Sequence, residues 1–260
     1  MKKILPVLFG FVLFLQSCAP TKEAAPPAST SEKKALTSTV KILTLNANHL
    51  LKEKGEIKKL ADWAKSLGAE ILAVQQIERP TDTKPGFDAV QEFSKVSDMY
   101  QYFGKARYYD GFDSGNALFS IYPIRQTAVM QLPVGKGKVR RTLSYGVIDV
   151  GLRSIGVAST ELDDQSTSER QTQVEEIFSI EKSFSDFPFL LCGAFYEPLT
   201  GKTPLMMKER FTAANSLQEQ TSGMTQHVYI RNGAPLRTLS VEKVQHRKWD
   251  GILVTLQITQ

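Results

Sequence analysis

From residue 40 onward the chain is punctuated by short β-rich apolar runs, and this pattern constrains its fold more than any other feature. Val40 to Leu45 (VKILTL) and Ile71 to Gln75 (ILAVQ) are nearly continuous in apolar character, as expected of strands buried on both faces. Further strands are expected over 117–122, 127–132, 143–150, 154–159, 187–192 and 249–256. Three helical periods lie among them. Ile57, Leu60, Ala61, Ala64 and Leu67 mark the first, and Gly68 stops it. Phe87, Val90, Phe93, Val96 and Met99 mark the second. Val174, Ile177, Phe178 and Glu181 bound the face of the third, over 166–184. Arg231-Asn232-Gly233 reads as a hairpin turn. Strands outnumber helices and several are consecutive. Two packed sheets with helices outside would accommodate this, but periodicity alone supports α/β or α+β and goes no further.

The 260 residues are 42% hydrophobic and 23% charged, close to the globular average, which excludes wholesale disorder and a fibrous fold. Two cysteines, Cys18 and Cys192, are too few for a disulfide framework. Net charge is +5, a mild excess that favours anionic partners without implying nucleic acid.

The N-terminus reads as an address. Lys2 and Lys3 precede an apolar run over residues 4–15, too short for a bilayer core of about 20 residues but suited to a signal peptide. Leu15-Gln16-Ser17-Cys18 then resembles the bacterial lipobox, whose cysteine is acylated. The expected organisation is a leader over 1–17, acylated Cys18 with a Pro-rich, apolar-poor tether over 18–38, and a folded domain over 39–260. The expected location is the bacterial cell envelope, on the outer membrane or the periplasmic face. Cys192, within FPFLLCG, is expected as a small buried hydrophobe.

Segments in order, from about residue 40 to about 254, resemble the endonuclease/exonuclease/phosphatase superfamily, the deoxyribonuclease-I-like metal-dependent phosphodiesterases and phosphatases. The first, Lys41 to Asn46, ends in an asparagine that in the family helps hold metal or phosphate; on its own, Asn46 would read as a turn cap. The second, Ala69 to Gln76, resembles a "Leu-Gln-Glu" segment, with Gln76 in place of the metal-binding glutamate. Glu78 would share a face with Gln76 in a continuing strand, about 6.6 Å along. The third, Gly115-Asn116-Ala117-Leu118-Phe119-Ser120-Ile121-Tyr122-Pro123-Ile124, is the most specific scaffold match. Asn116 within it, with Asn46, Arg140 and Arg141, is a candidate for contacting substrate. The fourth, Ser159-Thr160-Glu161-Leu162-Asp163, has Glu161 where the family has a phosphate-contacting histidine. The fifth, Phe187 to Pro198, resembles "Gly-Asp-Phe-Asn", with Ala194 for the water-activating aspartate and Tyr196 for the transition-state asparagine. Lys248 to Val254 resembles a last segment whose aspartate is matched by Asp250, and no terminal Asp-His segment follows.

The resemblance implies a four-layer sandwich of two β-sheets flanked by helices, and a cleft for a phosphate-containing ligand. It implies Mg²⁺ or another divalent cation if the site is active, with Gln76 and Asp250 as candidate ligands. Hydrolysis of this kind needs a metal, a base or polariser for water, and donors for the developing charge. Here Asn46 and Asp250 survive, whereas Gln76, Glu161, Ala194 and Tyr196 do not supply the family's groups. The leading expectation is a catalytically degraded, monomeric lipoprotein that binds or scaffolds. One alternative is a metal-dependent hydrolase rebuilt around Glu78, Glu161, Glu197 and Asp250. Another is a basic module that uses Lys136, Lys138, Arg140, Arg141, Arg231, Arg237, Lys243, Arg247 and Lys248 against an anionic polymer or lipid.

Overall fold

The computed structural model describes residues 39–82, 85–184, 186–217 and 223–259. The leader, Cys18 and the tether fall outside the described residues. The element order is β1 (Thr39–Asn46), α1 (Lys54–Ser66), β2 (Ile71–Arg79), α2 (Ala89–Ser97), β3 (Tyr100–Tyr109), β4 (Phe112–Ser120), β5 (Ile124–Gln131), β6 (Thr142–Val150), β7 (Arg153–Glu161), α3 (Thr167–Lys182), β8 (Phe189–Ala194), α4 (Lys202–Met207), β9 (Phe211–Ala213), β10 (Gln226–Arg231), β11 (Leu236–His246) and β12 (Trp249–Ile258). One sheet runs β11-β12-β1-β2-β4-β3 and the other β5-β6-β7-β8-β10-β9. Each has one parallel pair, β1–β2 or β7–β8, joined by a crossover helix, α1 or α3.

Alternation along β1 shows how the layers are filled. Val40 and Ile42 face the other sheet, where they pack with Ile71, Leu118, Val157, Leu190 and Val254. Leu43 and Leu45 face outward, under Ile57, Leu60, Ala64, Val90 and Phe93 of α1 and α2. On the far side of the second sheet, Leu143, Ala158, Leu191 and Tyr229 pack beneath Val174, Ile177 and Phe178 of α3 and Met207 of α4. Three apolar spaces between four layers produce the sandwich, and a central strand must be apolar on both faces to fill two of them.

Local signals set the helix ends. The Asp88 carboxylate accepts from Gln91 N at 2.9 Å and caps α2, and Ser166 Oγ accepts from Glu169 N at 3.3 Å at the start of α3. Gly68, at φ +68°, takes the left-handed turn after α1. Two expectations need correction. Arg231-Asn232-Gly233 is not the turn of a hairpin: β10 and β11 lie in different sheets, so this turn carries the chain across the sandwich. Val96 lies on the exposed side of α2 at 42% exposure, while Val90 and Phe93 carry the buried face.

Polar side chains join the two sheets. Asn116 Nδ2 donates to Thr142 O at 3.0 Å, and Gln75 Nε2 donates to Ser159 Oγ at 3.0 Å. Asn116 is therefore committed to the inter-sheet seam. Cys192 is fully buried there, and burial pushes its thiol up to about 12. Among the described residues no helix is long and apolar enough to cross a membrane.

Phe119 is fully buried and lies 4.4 Å, ring centroid to centroid, from Phe93. Phe119→Ala should cost about 3–5 kcal/mol through lost transfer energy and the cavity left behind. A urea-unfolding midpoint that falls with unchanged slope checks this.

Candidate functional site

The C-terminal ends of β1, β2, β7 and β8 meet at one end of the sandwich. Asn46 closes β1, Glu161 closes β7 and Ala194 closes β8. The β2–β4 register shifts between Val74 and Ile77, and Gln76 takes φ +52° within the shift. This bulge breaks the alternation. Gln75 stays between the sheets, and Gln76 reaches Glu161 instead of sharing a face with Glu78. Tyr196 also takes a positive φ, +56°, just after the close fit of β8 to β7 at Gly193. A Cβ on Gly193 would lie 1.9 Å from Thr160 O, so only glycine fits there.

The site is centred on the carboxylate of Glu161, a residue 4% exposed. Its Oε1 accepts from Gln76 Nε2 at 2.5 Å and from the Tyr196 hydroxyl at 2.6 Å, and forms an ion pair with Arg141 Nη1. Arg107 Nη1 lies 4.0 Å from Glu161 Oε2. Arg141 is 2% exposed, and its Nη2 also donates to Asp164 Oδ1 at 3.0 Å. Asn46 extends the network, with Nδ2 donating to the Tyr196 hydroxyl at 3.2 Å while Oδ1 accepts from Asn48 N at 2.9 Å. Asn46 is thus both a turn cap and a member of the site. Burial, reinforced by the Glu161 charge, drives the Tyr196 phenol far above its ordinary value. The phenol therefore stays protonated and serves as a donor. Burial pulls the Arg107 guanidinium down, and Glu161 opposes that shift.

The other candidates do not join this cluster. Ala194 is buried and offers no polar side-chain atom. Asp250 is exposed, and its Oδ1 accepts from Gln245 Nε2 at 2.7 Å. Arg140 is exposed, whereas its neighbour Arg141 is buried at the centre. Glu78 pairs with His49 Nδ1 at 2.8 Å. Glu197 accepts from Arg170, Thr167 and Thr203 and ties α3 to the chain after β8. A divalent cation needs converging hard oxygen acceptors. Among the described residues no three His, Cys, Asp or Glu side chains are grouped to hold one, and the Glu161 carboxylate is already covered by two cations and two neutral donors. The residues present do not fit the metal of the resembled family.

Three residues here were missed in the sequence. Arg107 comes from β3, an edge strand too polar to register as a buried strand. His49 stacks on Tyr109 at 4.1 Å, and only the folded β3–β4 hairpin brings the two together. His227 is fully buried on β10, with Nε2 2.7 Å from Glu197 O and Nδ1 3.0 Å from Asn215 Nδ2. It fastens the segment that follows Tyr196.

Arg141→Ala leaves Glu161 buried without its main counter-charge and should cost about 3–5 kcal/mol in urea unfolding. Arg141→Lys should recover only part of this loss, because a lysine lacks the fork that reaches both Glu161 and Asp164. Desolvation lowers His227 from 6.5 to about 4. Between those values the unfolded chain binds the proton and the folded chain does not, so stability falls as pH drops from 7 towards 4. The His227 contribution to that fall is on the order of 3 kcal/mol. Unfolding midpoints across this range should flatten in His227→Gln.

No family model matches the sequence, and no curated protein matches it. Solved structures do resemble it. An endonuclease/exonuclease/phosphatase from Beutenbergia cavernae superposes with TM-score 0.69 at 15% identity, covering 85% of this chain and 72% of that one. The human Nocturnin catalytic domain with bound sulfate gives 0.67 at 14%, covering 85% and 94%. A mannosyl-6-phosphatase from Bacteroides thetaiotaomicron gives 0.61 at 11%, covering 85% and 100%. Two six-stranded sheets packed face to face between helices, in the order described, give this chain the fold of the endonuclease/exonuclease/phosphatase proteins.

Proposed function

We propose that this chain is a catalytically degraded protein on the endonuclease/exonuclease/phosphatase fold, anchored in the bacterial envelope through Cys18 and acting as a binding or scaffold protein. One observation carries the reading: Gln76, Glu161, Arg141 and Tyr196 form a closed hydrogen-bonded cluster where the strand ends meet. In-line attack on a phosphoric ester needs an open position for the phosphorus, a polarised water and charge neutralisation by metal. Ala194 supports this reading, since it can neither orient nor deprotonate water. The lipid anchor is supported by the apolar run over 4–15 and by Leu15-Gln16-Ser17-Cys18. Acylation at one cysteine with more than one chain would anchor stably, at about 0.8 kcal/mol per buried CH₂.

The rebuilt-hydrolase reading requires Glu78, Glu161, Glu197 and Asp250 to converge, and each is engaged in a different contact. The basic-module reading loses Arg141, which pairs with Glu161, and Arg231, which pairs with Glu181 at 2.9 Å.

The purified chain should show no turnover above background on chromogenic phosphodiesters or phosphomonoesters with Mg²⁺, Mn²⁺ or Ca²⁺. Metal-dependent turnover abolished by Asp250→Ala would overturn the degraded reading. In a bacterial host, labelled fatty acid should enter the wild-type chain and not Cys18→Ser, and the variant should leave the membrane fraction.

A further inference from the structure

We propose that Glu161 is a built-in anion: its carboxylate fills an oxyanion pocket made by Arg141, Arg107, Gln76 and Tyr196, so that the cleft is an anion receptor held shut by its own side chain. The inference rests on the reading that this cleft is not a metal centre, and it specifies what the cleft has become.

The chemistry of the lining carries the argument. Gln76 Nε2, the Tyr196 hydroxyl and two guanidinium groups all present donors towards the Glu161 carboxylate. A cation site turns acceptors inward; this one turns donors inward, as a pocket for carboxylate or phosphate does. The donors are also held in place without help from Glu161. Asn46 donates to the Tyr196 oxygen, the β2 bulge turns Gln76 inward, Asp164 holds Arg141 Nη2, and Arg107 packs over the Tyr109 ring at 5.6 Å. Opposite Glu161 in the β7–β8 register stands Ala194, whose small side chain competes for none of these donors. Arg141 Nε is buried without a hydrogen-bond partner among the described residues.

Burying an arginine at 2% exposure without an anion is strongly unfavourable. Removing the tethered carboxylate therefore leaves a fixed, positively charged pocket that an external oxyanion can enter. The wild-type pocket is already filled, so the same anion has to displace Glu161.

The test uses the full chain with Glu161→Ala, probed with sodium acetate and inorganic phosphate against chloride at matched ionic strength. Glu161→Ala should unfold at a lower temperature than wild type, and acetate or phosphate should restore it in a saturable way. Titration calorimetry should show phosphate binding about tenfold or more tighter than in wild type. Recovery by acetate and not phosphate assigns a carboxylate pocket, and the reverse assigns a phosphate pocket. The double variant Glu161→Ala/Arg141→Ala should lose the recovery. If Glu161→Ala does not fold, Glu161→Gln keeps the side-chain shape without the charge and should gain more stability from phosphate than wild type does. A folded variant with no response beyond that to chloride, or wild type binding the responsive anion as tightly as the variant, overturns the proposal. Metal-dependent ester hydrolysis by wild type would instead defeat the degraded reading, so the two failures are separable.

Discussion

The buried pair of Glu161 and Arg141 is the interaction on which the character of this cleft depends. Two charges taken from water are unfavourable individually, and their mutual attraction offsets that only with close geometry and further hydrogen bonds. Gln76 and Tyr196 supply those bonds on the carboxylate side and Asp164 on the guanidinium side. The surrounding backbone accommodates them. Gln76 and Tyr196 both adopt left-handed φ values that a bulky residue seldom takes, and both do so beside the same carboxylate.

This cluster sits at one end of a polar seam through an otherwise apolar interface. Gln75 with Ser159, Asn116 with Thr142, and Thr160 with Thr142 are buried hydrogen bonds that hold the sandwich together. Apolar contacts between the sheets tolerate sliding, whereas directional bonds do not. The seam thus fixes how the end of β2 meets the end of β7, and with it the short contact between Gln76 and Glu161. Fold and site chemistry can vary separately here, because the groups that hold the sheets together are distinct from those at the strand ends.

Most central strands were legible in the sequence because burial on both faces leaves few polar residues in runs such as VKILTL and ILAVQ. The edge strands of the first sheet were not. β3 and β11 are mostly exposed or half-buried, and the polar residues along them mask the strand pattern. The same gap hid Arg107, since a residue on an unrecognised strand has no assigned neighbour. Gln76, Glu161, Ala194 and Tyr196 could be placed by motif order alone. Their mutual arrangement could not, because a bulge and two positive φ angles decide where the side chains point, and no periodicity signals either. Asp250 shows the converse: its position was legible, yet its side chain turns to Gln245.

The direction of β1 has a consequence for the whole molecule. Its eight residues run from Thr39 at one pole of the sandwich to Asn46 at the other, a span of roughly 25 Å. Thr39 therefore lies at the pole opposite Glu161. The pole that carries Glu161, Arg141 and Arg107 is thus separated from the start of the domain by the full length of that strand.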